Sequence, residues 1–439
     1  MIPRTIRHKY PLRQWWTWGG DPVRYYPFPV LSAQAGILQL NGQWERAEAI
    51  MVRNAEASET WTDPALAAQV RHQLSSLLVH LGRYDQARAL ADEAYQAFRK
   101  LGLASGLVDA LEVLGQVCEF TGDYARALEH YHEQLELAEK DGSQLLLAQA
   151  WSNLGNLHKA AGRFEQAGDS YLKLKKIAQR TGLKKFLRTA YNNLGNILRS
   201  QGRIDQALEY FHRALGLSAE MGDRWSGMAA LNNIGTIYSA RLEYGPALEC
   251  YASLLEAAQK LGDRRSIGIA LGNLGNTHLE LGDHPRAREF YSRRLELARS
   301  LGDRKGQMYT LGNLGQSHLQ TGDHQSALKC FRQQLGIAQE MGDLGNEAEA
   351  RSKLGQALLS LGRTEESLQE NLKAVELGEQ SGDQWYFCEY LIHLVEAWLA
   401  SGKHGQAGPV LAKAQELCRK MDRRNLLDHC RELEEKLRV

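Results

Sequence analysis

A chain of 439 residues that is 24% charged, 43% hydrophobic and 8% aromatic has the balance of a soluble globular protein. Lys+Arg of 53 against Asp+Glu of 52 leaves a formal charge of +1, which excludes an overall field that would draw the molecule to nucleic acid or an anionic bilayer. No stretch approaches 18 apolar residues, which excludes a membrane-spanning helix, and Arg4, Arg7, Lys9 and Arg13 interrupt any apolar signal core at the N-terminus.

Residues 1–30 form the first distinct stretch. They hold five of the nine prolines and three of the nine tryptophans, with five basic residues against Asp21 alone. Trp15, Trp16, Trp18, Tyr25, Tyr26 and Phe28 are too many aromatics to leave in water. The segment is expected to cap the exposed apolar face of the first hairpin, to dock into the molecule's own groove, or to bind a partner, self-association included.

From about residue 31 a period of 40 takes over. One glycine series runs Gly42, Gly82, Gly122, Gly162, Gly202, Gly282, Gly322, Gly362, Gly402, broken only at Leu242. A second runs from Gly102 to Gly382, and a third is Gly115, Gly155, Gly195, Gly235, Gly275, Gly315, Gly355. Together they account for 24 of the 41 glycines, so the excess is punctuation rather than scattered flexibility. Between the marks apolar residues follow helical spacing, as in Phe164, Ala167, Tyr171, Leu174, Ile177 and Ala178. Each unit is therefore predicted to be a helical hairpin. The first two series end helices with positive φ. Asp123, Asp283 and Asp323 cap the helices that come after them, and Pro64, Pro246 and Pro285 sit in first turns. The third series lies mid-helix, opposite an alanine series (Ala47 to Ala407, with Ser367 the exception) and an aromatic four residues after the alanine, a pattern that allows close helix approach.

The turn at Leu242 is expected to pack differently. In the last hairpin, about 383 to 420, Gly405, Gly408 and Pro409 are expected to weaken or shift the start of the second helix. Residues 422–438 read as a capping helix.

This order of a bulky residue, Leu-Gly three on, a turn glycine, then alanine and an aromatic resembles the tetratricopeptide repeat. The runs Asn153-Leu154-Gly155-Asn156, Asn193-Leu194-Gly195-Asn196 and Asn273-Leu274-Gly275-Asn276, with the closers Leu261-Gly262-Asp263 and Leu301-Gly302-Asp303, resemble the LGN/Pins adaptor family and, less closely, kinesin light chains. No Gα-binding motif of the LGN/Pins kind comes after the repeats before Val439. The resemblance implies an all-α fold: a right-handed superhelix, or α-solenoid, of ten hairpins over residues 31–421, with the capping helix at 422–439.

Chemistry-bearing motifs are sparse. There is no phosphate loop, and Gly272 with Gly275 belongs to the repeat. His130 and His132 are two residues apart on one helix and point to different faces. Cys250 and Cys330 share a repeat position beside packing aromatics and read as small apolar fillers. No paired Cys motif occurs among the six cysteines, which fits a reducing cytoplasm. No catalytic residues, metal site or cofactor are expected.

What recurs is a ladder of carboxamides on the first helices. One series is Asn153, Asn193, Asn233, Asn273, Asn313; the other, three residues on, is Gln116, Asn156, Asn196, Asn276, Gln316, Gln356, with Thr236 in the gap. Helix propensity does not explain asparagine there. The resemblance implies that first helices line a concave groove, where these amides would hold the backbone of an extended peptide. The other reading is that they stitch neighbouring repeats together, and both uses are compatible. Lys159, Arg163, Arg199 and Arg203 predict an acidic stretch in the partner. The expected function is a non-catalytic adaptor or scaffold. The alternative is a regulatory receptor whose superhelix changes on binding a peptide.

Overall fold

The computed structural model describes residue 35 and residues 44–58, 63–382 and 384–438. The aromatic segment 1–30 and most of the stretch where the first helix of the first hairpin is expected lie outside the described residues. Those described form twenty α-helices and no strand. They divide into two compact units, one ending at Met221 and one starting at Gly222. The first unit holds α1 (Trp44–Ser58), α2 (Pro64–His80), α3 (Tyr84–Leu101), α4 (Ala104–Phe120), α5 (Tyr124–Asp141), α6 (Gln144–Ala160), α7 (Phe164–Thr181), α8 (Lys184–Ser200) and α9 (Ile204–Glu220). The second holds α10 (Arg224–Ala240), α11 (Tyr244–Leu261), α12 (Arg264–Glu280), α13 (His284–Ser300), α14 (Arg304–Gln320) and α15 (His324–Met341). It continues with α16 (Leu344–Ser360), α17 (Thr364–Ser381), α18 (Gln384–Ala400), α19 (His404–Lys420) and the capping helix α20 (Arg424–Arg438).

Within each unit every helix packs on its sequence neighbours, and the even-numbered first helices also touch one another, so each unit is a solenoid-like stack whose first helices share one layer. Turns are set by glycines in the left-handed region, from Gly222 at φ +65° to Gly122 at φ +83°. Asp123, Asp283 and Asp323 cap second helices as expected. Asp223, Asp263, Asp303 and Asp343 do the same for first helices, accepting from backbone amides such as Gly306 at 2.8 Å.

The mid-helix glycines answer to the aromatics. A Cβ at Gly155 would stand 2.6 Å from the Tyr171 ring, and one at Gly195 would stand 2.7 Å from Phe211; the same clash recurs at Gly115 with Tyr131, Gly235 with Tyr251, Gly275 with Tyr291 and Gly315 with Phe331. What approaches the first helix is thus a ring, seated on bare backbone and fully buried at Tyr171, Tyr291, Phe211 and Phe331. Alanines of the opposing series, including Ala87, Ala127, Ala167 and Ala207, are wholly buried beside them. At Gly355 the partner is Asn371 instead, held by its own helix through Ser367.

Two expectations about irregular turns are corrected. The Leu242 turn keeps the repeat geometry, with Leu242 itself forced to φ 63° and left exposed. A left-handed conformation costs an L-residue roughly 1–2 kcal/mol, partly offset by the chain entropy a glycine would lose. Leu242→Gly is therefore expected to raise the unfolding free energy by roughly 0.5–1 kcal/mol; a urea midpoint that stays put or falls would remove the strain account. The second correction is that α19 starts at His404, in register with its counterparts, with Pro409 inside the helix. The proline forgoes one backbone bond, while burial of Ala407, Leu411, Ala414 and Cys418 holds the register.

Candidate functional site

The amide ladder occupies the layer where first helices meet. Side-chain bonds join one first helix to the next, among them Gln149 to Glu112, Lys159 to Asn193, Asn273 to Asn232 and Asn313 to Asn276. All join residues about one repeat apart, which is why a period of 40 brings them together.

In the first unit these positions are largely enclosed. Asn153 and Asn193 are buried. Asn153 Nδ2 donates to Gln134 Oε1 at 3.0 Å, and Gln134 Nε2 donates to the Val108 carbonyl at 2.9 Å, tying three helices together. Asn193 Nδ2 donates to its own helix at Thr189 O, and its Oδ1 accepts from Lys159 Nζ at 2.9 Å. Asn156 Oδ1 accepts from the Tyr171 hydroxyl at 2.7 Å, and Asn196 is half-buried. Desolvation holds the Lys159 ammonium below its usual range, against the pull of Glu119. Lys159 and Arg199 stand near the C-terminal ends of α6 and α8, whereas Arg163 and Arg203 stand exposed in the adjoining turns, directly before α7 and α9.

Sequence spacing alone did not single out Gln134 or Gln149. Gln149 donates to both Asp109 and Glu112, and burial pushes the Glu112 carboxyl up. The folded chain therefore binds that proton more tightly than the unfolded chain, so stability falls as pH rises through the folded-state value. Glu112→Gln is expected to be more stable than the parent at pH 7, with the gap closing as pH drops to the ordinary carboxylate value. Thermal melts at pH 4 and pH 7 check this, and a gap that widens on acidification would contradict it.

In the second unit the same layer is more open. Asn273, half-buried, donates to Asn232 Oδ1 at 2.9 Å. Asn276 is exposed, and its Oδ1 accepts from Tyr291 hydroxyl at 2.7 Å and from Asn313 Nδ2 at 3.0 Å. Asn233 is half-buried within α10 and already engaged. Asn273 and Asn276 line a cavity of about 430 Å³ between α10 and α12, with Thr236, Ser239, Tyr244 and Glu280. Gln316 lines a second, polar one of about 290 Å³ with Glu349, Lys353, Gln356, Glu389 and His393. His393 bridges Ser352 Oγ at 2.7 Å and Gln356, and burial lowers its pKa. Charges on this stretch of the second unit are paired within it: Arg351 with Glu347 and Glu370, Lys353 with Glu349, Glu396 with His429.

Elsewhere, His130 lies beside Asp92 and Glu133 while His132 lies near His158, on separate faces. Cys250 and Cys330 are half-buried thiols whose pKa burial raises. Among the described residues no group of His, Cys, Asp or Glu is arranged to hold a metal ion, and no helix is long and apolar enough to cross a membrane.

The sequence pattern of the tetratricopeptide repeat matches residues 66–140, 106–180, 146–220, 226–300 and 306–380. No protein of curated function matches the chain in sequence. Among solved structures, the apo form of RapI is similar at 15% identity and a TM-score of 0.65, over 81% of this chain and 98% of that one. The apo form of the quorum sensor NprR from B. thuringiensis is similar at 15% identity and a TM-score of 0.57, over 80% and 98%. A signal-transduction ATPase with numerous domains and a tetratricopeptide repeat sensor, from Pyrococcus horikoshii, gives 15% and 0.57 over 76% of this chain but 53% of that one. At such identities the likeness is one of fold. With the repeat pattern matched over well more than half of its length and the hairpins stacked as that pattern requires, this chain belongs to the tetratricopeptide-repeat family.

Proposed function

We propose that the array is a non-catalytic adaptor or scaffold that holds an extended segment of a partner protein along the first-helix layer, as the LGN/Pins resemblance implies. The observation that carries this reading is the cavity of about 430 Å³ at Asn273 and Asn276, where ladder amides face open space rather than a neighbouring helix alone. Amides suit an extended backbone because each can donate and accept. Lys159, Arg163, Arg199 and Arg203 would favour an acidic stretch where the partner passes the first unit. Residues 1–30 remain a candidate for self-docking or self-association, and six free thiols fit a cytoplasmic setting.

A photo-crosslinking amino acid at Ser239, inside the cavity, is expected to capture the partner, whereas one at Leu372, exposed on the second helix α17, is expected not to. Capture only from Leu372 would sink the reading.

The similar NprR is named as a quorum sensor and the Pyrococcus array as a sensor, which favours as second reading a regulatory peptide receptor. Small changes per repeat would add along the stack. Scattering with and without the captured segment separates the two: an adaptor keeps its dimensions and a receptor changes them.

A further inference from the structure

Three of the six cysteines meet at the C-terminal end of the second unit. Cys388 on α18, Cys418 on α19 and Cys430 on α20 belong to one apolar core, each no more than 1% exposed. Cys418 is the shared member, in thiol–thiol hydrogen-bond contact with both Cys388 and Cys430. Four earlier repeats carry wholly buried alanines at the places of Cys418 and Cys430: Ala138 and Ala150, Ala178 and Ala190, Ala258 and Ala270, Ala338 and Ala350. The repeat thus reserves these two places for small side chains where a second helix meets the next first helix, and the close approach that alanine permits is also what a disulfide needs. Packing alone is met by alanine, so it does not account for two thiols here.

The helix that carries Cys430 is lightly held. Of its residues only Cys430 and Leu433 are buried, against nine in α18. The turn before it puts Asp422 at φ 50°, where the repeat otherwise places a glycine. Such an element opens more readily than the stack beneath it. Arg423 donates to the Trp385 carbonyl at 2.7 Å and lies 4.7 Å over that ring, so the start of α20 stays tethered while the rest lifts. With α20 closed, burial pushes the Cys418 thiol up to about 12 and raises that of Cys430, and neither is a useful nucleophile. Opening returns Cys430 to water.

We infer that Cys418 and Cys430 are an oxidisable pair, whose disulfide forms with hydrogen peroxide and pins the capping helix α20 to α19. In the open state the Cys430 thiolate attacks one peroxide oxygen, the O–O bond breaks, and Cys430 becomes a sulfenic acid with release of water. On reclosure the Cys418 sulfur attacks the Cys430 sulfur. The S–S bond forms, the S–O bond breaks, and the oxygen leaves as a second water with the Cys418 proton. Two thiols thereby give two electrons and two protons to one peroxide, and thiol exchange with a small dithiol reverses the change. The bond would fix Leu433 and Lys436 in the wall of the cavity of about 410 Å³ that they share with Leu359, Glu396 and Leu399.

The test treats the reduced full chain with hydrogen peroxide, blocks the remaining thiols and digests it with trypsin. Cleavage after Arg419 and Arg424 leaves Cys418 and Cys430 in separate peptides, joined only by the bond. That linked pair is expected, with amide exchange in α20 slowed tenfold or more and restored by dithiothreitol. Leu433→Ala, which loosens α20, is expected to speed formation of the link threefold or more, whereas Leu372→Ala, on the exposed face of α17, is expected to leave it unchanged. A link between Cys388 and Cys418 instead, oxidised cysteines without a link, a link that leaves exchange in α20 as it was, or a rate indifferent to Leu433→Ala would each overturn the inference.

Discussion

Gly195→Ala is expected to lower the stability of the first unit by about 2 kcal/mol, although alanine is the better helix former by about 1 kcal/mol. The new methyl would meet three carbons of the Phe211 ring at 2.7 to 3.0 Å. That ring is wholly buried against α8, so it has no free volume into which to retreat. Gly216→Ala supplies the control. Gly216 lies within α9, is exposed, and a methyl there would meet nothing within 4 Å, so the same substitution is expected to stabilise by about 1 kcal/mol. Urea denaturation monitored by circular dichroism reads both. A second substitution, Phe211→Leu, is expected to recover part of the Gly195→Ala loss by vacating the contact, giving a coupling that distant sites do not show. Equal effects at the two glycines would mean that the ring does not select glycine here.

The contrast explains why so much of the fold was legible in the sequence. A position that demands positive φ, such as Gly162, or a bare backbone under a ring, such as Gly155, admits few residues, so the demand surfaces as a period. Leu242 and Pro409 broke the pattern in sequence but not in space, because the packing of their neighbours outweighs a local cost of a few kcal/mol at most. The ladder was equally visible as a series, but its use was not. Whether Asn153 faces a partner or Gln134 depends on what the preceding second helix carries, and Gln134 occupies a position filled by Leu174 one repeat later. A hydrogen bond between residues 19 apart has no signature in a 40-residue spacing.

Replacing Asn273 and Asn276 together with alanine is expected to weaken capture of the partner segment by tenfold or more, with the helical signal nearly unchanged. Each removes a side chain that lines the cavity, and two lost hydrogen bonds of about 1 kcal/mol each amount to a factor of roughly 30. Asn232 and Asn313, whose bonds are released, regain water at a half-buried or exposed surface, whereas the Tyr291 hydroxyl loses its acceptor on a wholly buried residue, so the pair also costs about 1–3 kcal/mol of stability without unwinding the helices. Asn153→Ala should behave in the opposite sense. Asn153 is buried and satisfies Gln134 Oε1, so its loss strands a buried acceptor and is expected to cost about 1–3 kcal/mol of stability, with little direct effect on binding at low temperature. Calorimetric titration with the captured segment, paired with thermal melts of each variant, separates stitching from recognition residue by residue. If Asn273→Ala with Asn276→Ala melts early yet binds with parental affinity, the second unit's amides only join repeats, and the partner must be held by other groups on the layer.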